Sequence, residues 1–283
     1  MAPGILQSSR QRFRGVRRVA FASRRRRRDG RGERLEEFEE RAYFGRQVAA
    51  RRIERVERET LVGPVGKELD EPAVGDERAM IGAVRAALEA ARPRRVVCLS
   101  TVGAQATQTN LLSQLGMMEA QLGELPMPVA FLRAAWFIEN VAWDIGAARA
   151  SGVVPSFLQP LDRVLPMVAT ADVGRTAAQM LLDDWRGVRT VELEGPRRLS
   201  PDDLAAGLAK ALARGVRMAP VPREVWEATF RVQGMRNPLP RMQMLDGFNA
   251  GWLRFEADEA HTRKGEVALD TVLEGLVSAR PEA

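Results

Sequence analysis

Ten arginines and no acidic residue occupy the first 28 positions, and five of those arginines, Arg24 to Arg28, are consecutive. A run of like charges repels itself and has no apolar face to bury, so residues 1–32 are expected to stay disordered and to add nothing to a core. Whatever folds must be assembled from the rest of the 283-residue chain. Residues 1–60 hold 18 Arg against 9 Asp and Glu, a balance of +9, while the whole chain carries only +6, so the remainder is slightly acidic. The basic character belongs to the N-terminus alone.

Between Glu33 and Thr60 the composition turns to mixed charge, with Leu35, Phe38, Ala42, Ala49, Ile53 and Val56 recurring at three- and four-residue steps. That spacing predicts an amphipathic helix with a thin apolar stripe. Val62-Gly63-Pro64-Val65-Gly66 ends it. Gly66-Lys67 is not a phosphate loop, because Leu61 and Glu68 stand where the leading Gly and the trailing Ser or Thr are required.

Past Asp70 helix and strand patterns alternate. Asp76 to Ala91 has helical periodicity, Pro93 stops it, and Arg95 to Ser100 is a short continuous apolar run of the kind a strand buried on both faces shows. The rhythm continues with a helix over 110–122, a strand over 128–132, a helix near 139–150, a strand near 164–168, a helix over 172–184 and a strand over 190–193. Ser200 then opens a helix as its N-cap, with Pro201 at the first position and Asp202 and Asp203 in the first turn. A strand over 216–221 and two or three helices complete the chain. Alternation of this kind predicts an α/β fold with a parallel sheet.

The scarce residues limit the chemistry. One Cys (Cys98), one His (His261), one Tyr (Tyr43) and three Lys (Lys67, Lys210, Lys264) rule out by count a Cys/His zinc site, a disulfide framework and a paired-His metal site. A Tyr-x-x-x-Lys dehydrogenase dyad is also ruled out, since Gln47 follows Tyr43 at that spacing. His261, among Asp258, Glu259, Arg263 and Lys264, reads as a solvated loop residue, and Cys98 as a small hydrophobe inside a strand. No stretch approaches the roughly 18 apolar residues of a membrane span, and no apolar run follows Arg17-Arg18 as a secretion signal needs. The chain is expected to be cytoplasmic, with no metal and no membrane partner.

Five blocks carry a resemblance: RRVVCLSTVGA, MPVAFLRAAWFIEN, VATADVGRTAAQMLL, VELEGPRRLSPDDLAAGLAKAL and HTRKGEVALDTVLEGLV. In this order and spacing, from about Glu71 to Val277, the chain resembles the NmrA-like family of atypical short-chain dehydrogenase/reductases. The resemblance implies a Rossmann-like, doubly wound parallel sheet with a small C-terminal α/β substrate subdomain. It also implies NADP or NAD as cofactor, and a role as redox-sensing regulator or as a reductase of quinones and dyes. The Gly-rich turn on which the family holds its dinucleotide has no counterpart between Met1 and Asp70, so the sheet is expected to be partial, with about three to five strands from residues 95–221, and cofactor binding to be impaired. Two readings of residues 1–70 stay open: a stretch read in another frame of a GC-rich gene, or a genuine N-terminal extension to the NmrA-like domain at 71–283.

The resemblance also nominates a site. Ser100 and Thr101, at the end of the strand, and Arg133 and Trp136, after the next, are expected to approach the cofactor, with Phe137, Glu139 and Asn140 lining the substrate pocket. An Arg133–Glu139 ion pair at the crevice mouth and plain core packing for the two aromatics are the structural alternatives. Counting back from Glu119, the positions where the family offers a Lys or His and sometimes a Tyr hold Leu115 and Leu111, so no catalytic residue is nominated and enzymatic activity is left open. Leu111, Leu112, Leu115 and Met118 read as a helix face packed on the sheet. The partner is a small-molecule substrate or nucleotide. Nucleic-acid binding through Arg10 to Arg28, and a non-functional product keeping only the later half of the fold, remain the other two classes.

Overall fold

The computed structural model describes residues 74–278. The expectations for residues 1–70, including nucleic-acid binding through Arg10 to Arg28, fall outside the described residues.

Helix α1 (Val74–Ala91) leads to β1 (Val96–Thr101), α2 (Ser113–Leu122) and β2 (Val129–Ala134). A two-residue strand, β3 (Trp136–Phe137), runs into a 3-10 helix (Ile138–Asp144) and α3 (Ile145–Ser151). Then come β4 (Val153–Ser156), β5 (Met167–Val168), α4 (Thr170–Leu182), β6 (Val188–Glu194), α5 (Pro201–Ala211) and β7 (Arg217–Pro220). A 3-10 turn (Arg223–Val225), α6 (Trp226–Val232), α7 (Leu239–Ala250), β8 (Arg263–Lys264) and α8 (Leu269–Ser278) complete the order.

The main sheet runs β1-β2-β6-β8 and every pairing in it is parallel. Successive residues of its strands point to opposite faces; β2 is buried on both, whereas β1, expected to be buried on both faces, lies at the sheet edge and leaves Leu99 49% exposed, and β6 and β8 also carry exposed residues. Val96, Cys98, Val129 and Phe131 join Leu88, Met118 and Leu122 in one core, on the side of α1 and α2. Val97, Ala130, Leu132, Ala134 and Leu193 join Val173 and Met180 of α4 in the larger core on the other side. All six residues of β2 are buried, which is why Val129 to Leu132 read as an apolar run; Arg133 interrupts it and needs buried partners.

Three of the four strands come from the span expected of them; the fourth, β8, lies beyond residue 221. Arg263 and Lys264 are polar and exposed, so no apolar pattern marked them, and they pair because Gly265 N donates to Glu194 O at 2.7 Å. The strand expected near 164–168 shortens to Met167–Val168 and pairs with β3 instead of joining the main sheet. β4 was hidden by Pro155 and pairs with β7. Behind that pair Phe157 meets the rings of Trp226 and Phe230 at 5.7 and 4.8 Å, an aromatic group that is part of the larger core.

Ser200 begins α5 as its sequence signals: its Oγ accepts from Asp203 N at 3.1 Å while the Asp203 carboxylate accepts from Ser200 N at 2.8 Å, a reciprocal capping box. Gly207 lets α5 approach α8, since a Cβ there would run into Leu273 and Leu269.

Asp144 ends the 3-10 helix, and burial pushes its carboxyl up to about 6. A carboxyl raised on folding favours the native state only while it is protonated. Stability is therefore expected to fall as the pH rises from about 4 to about 6 and to stay reduced above. Asp144→Asn should stabilise the protein at pH 7.5 by about 1–2 kcal/mol, a partial-exposure discount on 1.36 kcal/mol per pH unit. Urea unfolding at pH 7.5 and pH 4 checks this: the gain should vanish at the lower pH, and a gain equal at both would contradict the assignment to ionisation.

Candidate active site

Parallel register places Ser100 of β1 beside Arg133 of β2, and Arg133 beside Glu192 of β6. All three lie on the α2 face, near the carboxyl ends of the strands. Glu119 reaches them from α2. Arg133 donates from Nε to Glu119 Oε1 at 2.9 Å and from Nη2 to Oε2 at 2.7 Å, a bidentate fork. Ser100 Oγ donates to Glu119 Oε1 at 2.5 Å. The remaining nitrogen, Arg133 Nη1, donates to Glu192 Oε1 at 3.3 Å and to Glu256. The Arg133 side chain is 7% exposed, those of Glu119 and Glu192 12% and 7%, and that of Glu256 60%. Burial alone would lower the Arg133 pKa; the hydrogen bonds it donates to Glu119 and Glu256 outweigh it and raise it above the ordinary value. Arg133 is thus a fixed cation.

One guanidinium facing three carboxylates leaves negative charge to be met elsewhere. Glu192 meets it by accepting the backbone N–H groups of Glu256 and Ala257 at 3.0 and 2.9 Å, and Glu256 is solvated. These bonds lay segment 253–257 across the carboxyl ends of the strands. Gln105 Nε2 donates to Arg254 O at 2.7 Å. Gly103, at φ +77°, gives Leu253 its seat, because a Cβ there would overlap that side chain. Two residues along β6, on the same face, Glu194 is fully buried. Burial would raise its carboxyl, but hydrogen bonds from Lys264, Thr262 and Arg198 hold it below the usual range.

The residues nominated from sequence divide into two groups. Ser100 and Arg133 are buried and bonded inside the cluster just described. Thr101, Trp136 and Phe137 are half-buried; Thr101 Oγ1 donates to Val102 O at 3.2 Å, and Trp136 meets Phe248 of α7 edge-on at 5.2 Å. Glu139 accepts from Thr170 N and Oγ1 at 2.8 and 2.7 Å, at the start of α4, where the helix dipole favours an acid. Asn140 is exposed. The alternative, an Arg133–Glu139 ion pair, does not form, because the Arg133 guanidinium is held by Glu119, Glu192 and Glu256 while Glu139 is engaged by α4.

Leu111 and Leu112 pack on the larger core and Met118 on the smaller one, and Leu115 is half-buried. None of these side chains can donate a proton. Sequence reasoning used Glu119 only as a landmark and missed Glu192 and Glu256. The usable signal lay in Glu192: an acid inside a strand buried on both faces must find a cation. Cys98 is pushed by burial up to about 11, in keeping with an inert thiol. His261 is 77% exposed and bonded to Asp258. Among the described residues no group of three or more His, Cys, Asp or Glu could hold a metal ion, and no helix is long and apolar enough to cross a membrane.

No protein-family model matches the chain. A curated NAD(P)H azoreductase from Xenophilus azovorans is 25% identical over 170 residues, so the match spans 59% of this chain and 58% of that protein. Among solved structures, the NADPH complex of an NADPH-dependent quinone oxidoreductase from Escherichia coli superposes with a TM-score of 0.61 at 21% identity, covering 73% of this chain and 74% of that one. NmrA, a negative transcriptional regulator crystallised with NAD, superposes at 0.50 with 18% identity over 74% of this chain and 68% of that one. The chain has the Rossmann-like α/β fold of these proteins. In open α/β sheets ligands bind outside the carboxyl ends of the strands, and that is where Thr101, Trp136 and Phe137 stand beside the Arg133 cluster.

Removing Arg133 would strand Glu119 and Glu192 as buried, uncompensated charges. Arg133→Met should cost about 3–5 kcal/mol, and adding Glu119→Leu should restore part of the loss. Urea denaturation of both variants tests this; a single variant within about 1 kcal/mol of the parent, or a double variant no better than the single, would contradict it.

Proposed function

We propose that this chain is an NAD(P)-binding protein of the atypical short-chain dehydrogenase/reductase type, a reductase of quinone- or dye-like acceptors by descent, with cofactor binding weakened in this chain. The observation that carries the reading is the placement of Thr101, Trp136 and Phe137, half-buried side chains on neighbouring elements at the carboxyl ends of a parallel sheet. The names of the similar proteins support it: the Escherichia coli quinone oxidoreductase structure contains NADPH, and the azoreductase is named for NAD(P)H.

The residues present fit the nicotinamide end of a dinucleotide. Thr101 offers a hydroxyl and Trp136 and Phe137 offer apolar faces that exclude water, while Ser100 and Arg133, spent on Glu119, form the floor that fixes β1 against β2. The exposed Asn140 would face the substrate, with Glu139, its Oε1 held by Thr170 and its Oε2 buried, behind it. A dinucleotide supplies a hydride when bound. The chain supplies position, and no acid at Leu111 or Leu115 to protonate the acceptor. That lack of a proton donor also favours a second reading, a nucleotide-responsive regulator without turnover.

The family's pyrophosphate-binding turn has no sequence match in this chain, so the dissociation constant for NADPH should be weaker than about 1 μM, the equivalent of roughly 8 kcal/mol. Titration calorimetry measures it: tighter binding would overturn the weakening, and no binding at millimolar NADPH or NADH with the fold intact would overturn the function. Thr101→Ala should change any quinone reduction only slightly. A fall of about a hundredfold, the scale of acid–base assistance, would show that this hydroxyl takes part in proton transfer.

A further inference from the structure

Among the described residues, the buried and half-buried arginines are paired with carboxylates, with one exception. Arg85 holds Glu89 and Glu124, Arg95 holds Asp184, Arg133 holds Glu119, Arg189 holds Asp183, Arg198 holds Glu194, and Arg223 holds Asp246. Arg241, in the first turn of α7, has neither hydrogen bond nor ion pair with a described residue, and its Nε is buried without a partner. Its guanidinium lies 4.9 Å from the centroid of the Phe230 ring. Burial lowers its pKa, and no carboxylate counters the effect. A cation withdrawn from water and left unpaired is costly, and a cation–π contact recovers only part of that cost.

The position of Arg241 suggests what completes it. Pro240 O, in the preceding residue, accepts from Leu111 N at 3.0 Å, which joins the start of α7 to the segment that follows β1. Seven residues on, two helical turns and therefore on the same face, Phe248 meets Trp136. The rise between the two is about 10 Å, the span of a fused-ring compound with an acidic substituent.

We propose that Arg241 is an anion-recognising residue of the crevice, binding a carboxylate, sulfonate or phosphate carried by the ring-bearing ligand that meets the half-buried Trp136. This rests on the reading of the crevice as an aromatic-acceptor site and adds the ligand's charge. The anion is assigned to the acceptor; the other source of the same chemistry is a phosphate of the nucleotide.

The test is titration calorimetry of the full chain with 1,4-naphthoquinone and with 1,4-naphthoquinone-2-sulfonate in the absence of nucleotide, and separately with NADPH, for the parent, Arg241→Gln, Arg241→Met and the exposed control Arg78→Gln. The parent should bind the sulfonate about tenfold or more tightly than the neutral quinone. Both Arg241 variants should lose that preference while keeping neutral-quinone affinity, and Arg78→Gln should keep it. Because Arg241 has no partner to strand, neither of its variants should lower the thermal midpoint. Equal affinity of the parent for the two quinones, or an equal loss on both in the variants, would overturn the proposal and leave the reductase reading standing. A loss confined to NADPH binding would assign the residue to the nucleotide and overturn it as well. A parent that binds neither quinone would overturn the reductase reading together with the proposal.

Discussion

The Arg133 guanidinium joins more of this structure than any apolar contact could. It sits in β2 between two strands, and its partners come from α2, β6 and the segment crossing the strand ends, with Ser100 of β1 attached through Glu119. A hydrophobic cluster tolerates sliding and repacking; a bidentate guanidinium–carboxylate fork in a buried setting does not. Five segments distant in sequence therefore share one geometry, and the register that aligns Ser100, Arg133 and Glu192 also aligns Thr101 with Ala134 at the end of the sheet. The cost of burying these charges is substantial, and directional bonding is what they contribute in return.

The rest of the candidate site follows from that alignment. Beyond β2 the chain turns at Ala135 into β3, whose pairing with β5 fixes Trp136 and Phe137, and the Thr170–Glu139 bonds tie the following 3-10 helix to the start of α4. On the opposite side Asp172 of α4, almost fully buried, accepts Glu266 N and Val267 N at 3.0 and 2.9 Å and so holds the chain after β8. Carboxylates that receive backbone N–H groups, Glu192 and Asp172 alike, secure the loops around the strand ends while the aromatic residues stay half open.

Much of the fold could be read from the sequence because its signals are local. The apolar run of β2 needs both faces covered, Ser200-Pro201-Asp202-Asp203 is a complete helix start, and α1 ends before Pro93. What escaped the reading depends on distant partners. β8 has no apolar pattern and exists only through Glu194 and its neighbours. β4 carries Pro155, which lowers any strand assignment, yet it pairs with β7. For the site, the positions of Ser100, Thr101, Arg133 and Trp136 could be placed at the strand ends, but nothing local showed that Arg133 would turn to Glu119, Glu192 and Glu256 rather than to Glu139. Side-chain direction in a sheet is set by register, and register is a property of two strands, not one.

The claim at the centre of this account is that the carboxyl ends of β1 and β2 form the nicotinamide end of a dinucleotide site. Amide hydrogen exchange with and without saturating NADPH tests it most directly. The account predicts added protection in residues 101–104 and 135–140, with the interior of β2, already buried, unchanged. Protection confined to other segments, or none at a concentration where calorimetry shows binding, would contradict it.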